Sequence, residues 1–179
     1  MNALARGLLA ASLVLSATTA QALDGFGLDL GAGDESANLV SVSARWNWQS
    51  KWFTEGEWYL GGYWEANAGH WNGRAGTTGN DSITELGITP VFRLQPHQQD
   101  GVTPWIEGAI GFHYLSDTKI GNKNLSTHFQ FGDHVGAGVS FGKKQSMELG
   151  YRFQHFSNAG IKRPNPGINF HMVRFGYRF

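Results

Sequence analysis

The chain has 179 residues, zero formal net charge and no cysteine, which excludes disulfides and thiolate metal sites and gives no electrostatic footprint for nucleic acid. Charged residues make up only 16%, against a usual ~25% in soluble domains, while aromatics reach 13%. Mean hydropathy is nevertheless -0.30, and after the N-terminus no run approaches the roughly 18 apolar residues of a membrane helix, so a helical membrane bundle is excluded too.

Residues 1–22 read as a secretory signal peptide. Arg6 supplies the positive start, Leu8 to Ala17 the apolar core and Ala20-Gln21-Ala22 the small-residue cleavage site. The apolar core is about a dozen residues, too short to span a bilayer as a helix. Residues 23–179, about 157 in number, fit one domain.

From Gly25 onward the pattern has period two. Phe26, Leu28, Leu30 and Ala32 alternate with Gly27, Asp29 and Gly31; Val40, Val42, Ala44, Trp46 and Trp48 alternate with Ser41, Ser43, Arg45 and Asn47. A third strand runs from Trp58 to Ala68 and a fourth carries Leu86, Ile88, Pro90, Phe92 and Leu94 on its apolar side. Pro90 removes a ladder donor, so a bulge or local distortion is expected there. The fifth strand covers about Thr103 to Tyr114. The sixth, about Thr127 to Phe141, has an apolar side interrupted by Asp133. The seventh places Met147, Leu149, Tyr151 and Phe153 on one face, and the eighth runs from about Ile168 to Phe179.

Eight antiparallel strands, apolar on one face and carrying Glu and Arg on the other, suit either a soluble lipocalin-like barrel or a small outer-membrane barrel. The signal peptide favours the membrane, as do aromatics near strand ends (Trp46, Trp48, Trp52, Phe53, Trp105) that suit interfacial girdles. The terminal Phe175-Gly176-Tyr177-Arg178-Phe179 resembles the C-terminal recognition signal of bacterial outer-membrane barrels. The fold class is therefore all-β, an eight-stranded antiparallel transmembrane β-barrel in the cell outer membrane. Glu57, Glu65, Glu85, Glu107, Arg45, Arg93, Arg152, Arg174 and Arg178 mostly fall on the inward face, as an ion-pair network filling a narrow barrel.

Turns at about Gln49–Phe53 and Gly142–Gln145 are short; Gly69–Asp81, Leu115–Ser126 and Asn158–Gly167 are long and polar. Short turns face the periplasm and long loops the exterior, so the seventh strand ascends and its end reaches the lipopolysaccharide leaflet. Carrying the phase of that strand forward puts His155 and Ser157 on the lipid-facing side, two residues and about 7 Å apart. A base and a hydroxyl against lipid break an otherwise regular pattern, and such breaks tend to mark function. The pair suggests hydrolysis of an acyl ester, with His155 activating Ser157. Asn158 and the Gly160 amide follow at once and could donate to the oxyanion of a tetrahedral intermediate.

The run from His155 to Asn165, with Gly61-Gly62-Tyr63-Trp64, Pro104-Trp105-Ile106-Glu107-Gly108 and Gly136-Ala137-Gly138, resembles the outer-membrane lipid A 3-O-deacylases, the PagL family, over nearly the whole mature chain. The resemblance implies hydrolysis of the acyl ester at position 3 of lipid A. His155 would be the base, Ser157 the nucleophile, and Asn158 with Gly160 the oxyanion hole. A family member carries a Glu fourteen residues after the His as third triad member; here that position is Asn169. Asn169 shares the apolar face with His171, and an Asn can orient a His. The rival orienter is Asp133: a tight turn after the sixth strand makes pairing positions sum to 286 or 288, which sets Asp133 opposite or beside His155.

Lys119, Lys123, Lys162 and Arg163 lie in outer loops, either solvated or available to lipid A phosphates. The histidines show no metal spacing, and neither a metal nor a cofactor is expected. The expected partners are lipopolysaccharide as substrate and the outer membrane; nucleic acid is not one, and a homodimer is left open. Two other readings remain at this point: a non-catalytic barrel for scaffolding or adhesion, and an outer-membrane phospholipase.

Overall fold

A computed structural model describes residues 22–179; the signal peptide expected over 1–22, save its last residue, lies outside the described residues. Eight strands close into one antiparallel barrel: β1 (Gly25–Gly33), β2 (Asn38–Asn47), β3 (Trp58–Asn72), β4 (Ser82–Pro96), β5 (Thr103–Leu115), β8 (Phe129–Phe141), β9 (Met147–Ser157) and β10 (Ile168–Arg178). A small hairpin, β6 (Lys119–Ile120) with β7 (Lys123–Asn124), sits within the outer loop between β5 and β8. Each barrel strand pairs with its sequence neighbour, and β1 closes the ring against β10 from Gly25↔Arg178 to Gly33↔Phe170. Closure leaves no sheet edge, which a strand crossing lipid requires.

The period-two pattern becomes an inside-out surface. Val42, Leu86, Ile110, Phe112 and Val135 are more than half exposed on the outer wall, while Arg93, Arg152, Arg174 and Glu148 are buried within. Near the periplasmic end Trp48 meets Trp52, Trp64 and Phe92 edge-on, with ring centroids 4.9–6.2 Å apart, as in an interfacial girdle.

Three expectations are corrected, and a fourth takes a particular form. β3 and β4 run on to Asn72 and start at Ser82, because Trp71 and Ile83 have a buried apolar cluster to enter at the outer mouth. The turn expected at Gln49–Phe53 extends to Glu57, folded back by the Trp52↔Leu60 bridge, so Glu57 is exposed there rather than inside. Trp105 is no girdle residue: it is buried inside, stacked at 4.1 Å on the Arg93 guanidinium, where a side chain at Gly138 or Gly150 would strike its ring. The disturbance expected at Pro90 takes the form of a gap in pairing and not of a bulge. The β4–β5 ladder skips Thr89 and Pro90 but keeps its register on both sides, Ile88↔Phe112 and Val91↔Ala109.

The interior has two zones. Below, Arg152 bridges Glu107 at 2.7 Å and Glu65 at 2.8 Å; Arg174 binds Asp29 at 2.8 Å and also Glu65; Arg93 binds Glu107 and Glu148 at 2.7 and 2.6 Å. Each buried charge thus meets opposite charge, the condition under which burial of ions is tolerated. Above, the β5–β8 loop folds over the mouth and drives Ile120 and Leu125 down onto Trp71, Phe156, Ile168 and Phe170. This apolar plug fixes the outer ends of β9 and β10.

Candidate active site

His155 and Ser157 lie on β9 between its inward residues Gln154, Phe156 and Asn158, so alternation alone turns them outward. Both are half-buried at the outer end of the strand. The register sets His155 between two neighbours: Asp133 on β8 and Asn169 on β10. The pair Asp133↔His155 is the 288 alternative of the sequence argument.

The imidazole bonds one of these two. His155 Nδ1 is 2.7 Å from Asn169 Oδ1, whereas Asp133 stays exposed with no hydrogen-bond partner among the described residues. His155 Nε2 and Ser157 Oγ likewise have none among the described residues.

Three residues hold this arrangement: Asp34 and Gly167, which the sequence reading did not single out, and Lys123, which it placed only in an outer loop. Asp34, in the tight turn from β1 to β2, accepts hydrogen bonds from Asn169 N and Nδ2, both at 3.1 Å, and from Lys123 Nζ at 2.8 Å. Partial burial works against its ionisation, but the Lys123 and Asn169 hydrogen bonds outweigh this and hold the carboxyl below the usual carboxylate range. Lys123 also donates to the Gly167 carbonyl at 2.8 Å, so two of its three N–H donors hold this cluster. Gly167, at φ +61°, lies against the imidazole: a Cβ there would be 2.5 Å from His155 Cε1.

The two expected oxyanion donors are engaged elsewhere. Asn158 is fully buried; its Nδ2 donates to the Leu125 and Lys162 carbonyls at 3.0 and 2.9 Å, and its Oδ1 accepts from the Gly160 N–H at 3.0 Å. Its side chain staples the loop after β9, and the Asn158 N–H is itself tied to Asn165 Oδ1 at 3.0 Å. The Ala159 N–H, at a residue with φ +52°, has no partner among the described residues.

A shallow apolar cleft of about 680 Å³ opens on the outer wall beside Asp133, between Phe92, Ile110, Val135 and Phe153 and floored by Pro90 and Gly108. No group of three or more His, Cys, Asp or Glu suited to a metal occurs among the described residues.

Fold and site together define an outer-membrane β-barrel that carries a histidine and a serine side by side on its outward wall, at the long-loop end of β9. Residues 38–178 match the family model described as lipid A 3-O-deacylase (PagL), and the chain belongs to that family. It is similar to the lipid A deacylase PagL of Pseudomonas aeruginosa, 35% identical over 160 residues covering 89% of this chain and 88% of that protein. The Bordetella bronchiseptica lipid A deacylase PagL is 36% identical over 115 residues, 64% of this chain and 61% of that protein. The crystal structure of the outer membrane enzyme PagL superposes with a TM-score of 0.78 at 29% identity, covering 87% of this chain and 99% of the other. The chain is thus an outer-membrane enzyme of a family of ester hydrolases.

Proposed function

We propose that this chain removes the acyl chain ester-linked at position 3 of lipid A, with Ser157 as nucleophile, His155 as general base and Asn169 as the residue that orients the imidazole. Asn169 Oδ1 accepts the His155 Nδ1 proton, leaving the Nε2 lone pair to take the proton of Ser157 Oγ as it attacks the ester carbonyl. The tetrahedral intermediate then expels the sugar 3-hydroxyl, which regains the proton from His155. Water, activated by the same Nε2, hydrolyses the acyl-serine and releases a fatty acid.

The oxyanion needs donors at the start of the loop after β9. The Ala159 N–H has no partner among the described residues, and the Gly160 N–H has only to leave Asn158 Oδ1. Asn158 then serves by shaping this backbone rather than through its own amide. The departing acyl chain fits the apolar cleft beside Asp133, which continues the lipid-facing wall.

The observation that carries the reading is the His155–Asn169 bond on a lipid-facing wall, with Nε2 and Ser157 Oγ lacking partners among the described residues. The test is release of fatty acid from purified lipid A in detergent, followed by mass spectrometry. Ser157→Ala and His155→Ala should each abolish it, and the double variant should be little worse than either, because the two act as a unit. Phosphatidylethanolamine vesicles should not be hydrolysed; if they are cleaved as fast as lipid A, the enzyme is a phospholipase instead.

A further inference from the structure

We propose that Asp34 is a positioning residue for the reaction, acting on His155 through Asn169 and supplying, one residue further out, the carboxylate that the third position lacks. The inference rests on the Ser157–His155 reading above.

An ionised carboxylate only accepts hydrogen bonds. Asp34 Oδ2 accepts from the Asn169 amide nitrogen, so the amide cannot flip without turning Oδ1 toward the carboxylate and losing that bond. With Nδ2 pinned, Oδ1 must face His155 Nδ1, and since an amide oxygen only accepts, Nδ1 must carry the ring proton. The neutral ring then has its lone pair on Nε2, the tautomer a general base requires. Asp34 also binds the Asn169 backbone N–H, which fixes the start of β10, and Lys123 ties it to the Gly167 carbonyl beside the imidazole.

There is an electrostatic part as well. When His155 takes the Ser157 proton it becomes a cation, and neutral Asn169 offers it only a dipole. Asp34 is the one carboxylate joined to the ring by an unbroken chain of hydrogen bonds among the described residues. Asp133 pairs with His155 across the β8–β9 ladder without such a bond, and Lys123, held on the same Asp34 Oδ2 as Asn169, offsets part of the charge, so the electrostatic share is smaller than the positioning one.

The test compares full-length, refolded wild type, Asp34→Ala, Asp34→Asn, Asn169→Glu and Asp34→Asn/Asn169→Glu on purified lipid A, with heat-modifiable gel migration confirming folding. Asp34→Ala should lower kcat about 10- to 100-fold while KM changes less than about threefold, as for other residues that hold a reacting group from behind. Asp34→Asn retains an acceptor but loses the charge, and should lower kcat about 3- to 10-fold.

The decisive readout is a change of sign. Asn169→Glu alone sets two carboxylates against each other and should be slow, because like charges at this distance cannot both stay ionised. Adding Asp34→Asn removes the clash and should raise kcat about tenfold or more, although the same substitution lowers it in wild type. A purely structural role for Asp34 would lower both backgrounds by one factor, and that result would overturn the inference, as would Asp34 variants within twofold of wild type. His155→Ala is run alongside: if it is inactive while the Asp34 variants are normal, only this inference falls, and if it stays active the Ser–His reading falls with it.

Discussion

Gly167→Ala is the substitution whose consequence the structure specifies best. The new Cβ would sit 2.5 Å from His155 Cε1, against an ordinary carbon–carbon contact of about 3.5 Å, so the ring must retreat by about 1 Å. That movement stretches the 2.7 Å bond from Nδ1 to Asn169 and carries Nε2 away from Ser157. A displacement of about 1 Å at a reacting group costs on the order of 100-fold in rate. The left-handed backbone adds about 1–2 kcal/mol of strain for any residue with a Cβ. Gly79→Ala separates the two effects, because Gly79 has φ +75° but nothing within 4 Å of its would-be Cβ, and it lies in the β3–β4 loop. The assay is the initial rate of fatty acid release from lipid A, with heat-modifiability as the check on folding. Gly79→Ala should stay within about twofold of wild type while Gly167→Ala falls by about two orders of magnitude. A folded Gly167→Ala barrel with more than about a third of wild-type activity would refute the claim that this glycine seats the imidazole.

The other predictions concern the orienter, the nucleophile pair and the interior. Asn169→Ala should lower turnover by about 10- to 1000-fold and Asp133→Asn by much less, since the ring bonds the amide and not the acid; equal, small losses in the same rate assay would remove the third member from the mechanism. Ser157→Ala, His155→Ala and their double variant should migrate as folded barrels and share one residual rate; a double variant far slower than both singles would mean the two side chains act independently. Arg152→Met strips Glu107 and Glu65 of a buried partner and should reduce stability by about 3–5 kcal/mol, read from the midpoint of urea unfolding in micelles. An unchanged midpoint would mean the lumen network does not support the barrel.

Strand alternation made the wall legible because burial in a barrel follows chain parity: Val42, Ile110 and Val135 face out while Arg45, Glu107 and Arg152 face in. Parity also extended the β9 phase to His155 and Ser157, and hairpin arithmetic set Asp133 opposite or beside His155; the structure has it opposite. Trp105 was misread because its type suggests a girdle, although its parity with Glu107 already pointed inward, toward the space that Gly138 and Gly150 leave open. The plug was missed for another reason. Ile120 and Leu125 are single apolar residues in a polar loop, and no local period tells that the loop turns down into the mouth.

The same distinction separates the parts of the site. His155, Ser157, Asn169 and Asp133 stand on adjacent strands at a shared height, so period and register are enough to find them. Asp34, Lys123 and Gly167 come from three connections that no ladder relates, separated by 135 residues in the case of Asp34 and Asn169. Their convergence depends on barrel closure, which brings the β1–β2 turn beside the start of β10, and on the β5–β8 loop folding over the mouth. A lipid-facing sheet can place a base and a nucleophile by alternation, but it offers neighbouring strands only side-chain reach, with no second layer behind them. On this barrel the loops at the rim supply that layer: the Asp34 turn pins the Asn169 amide, the hairpin brings Lys123, and Gly167 leaves room for the ring. The proposed chemistry therefore sits at the outer end of the wall, where strand register and loop packing act on the same side chain.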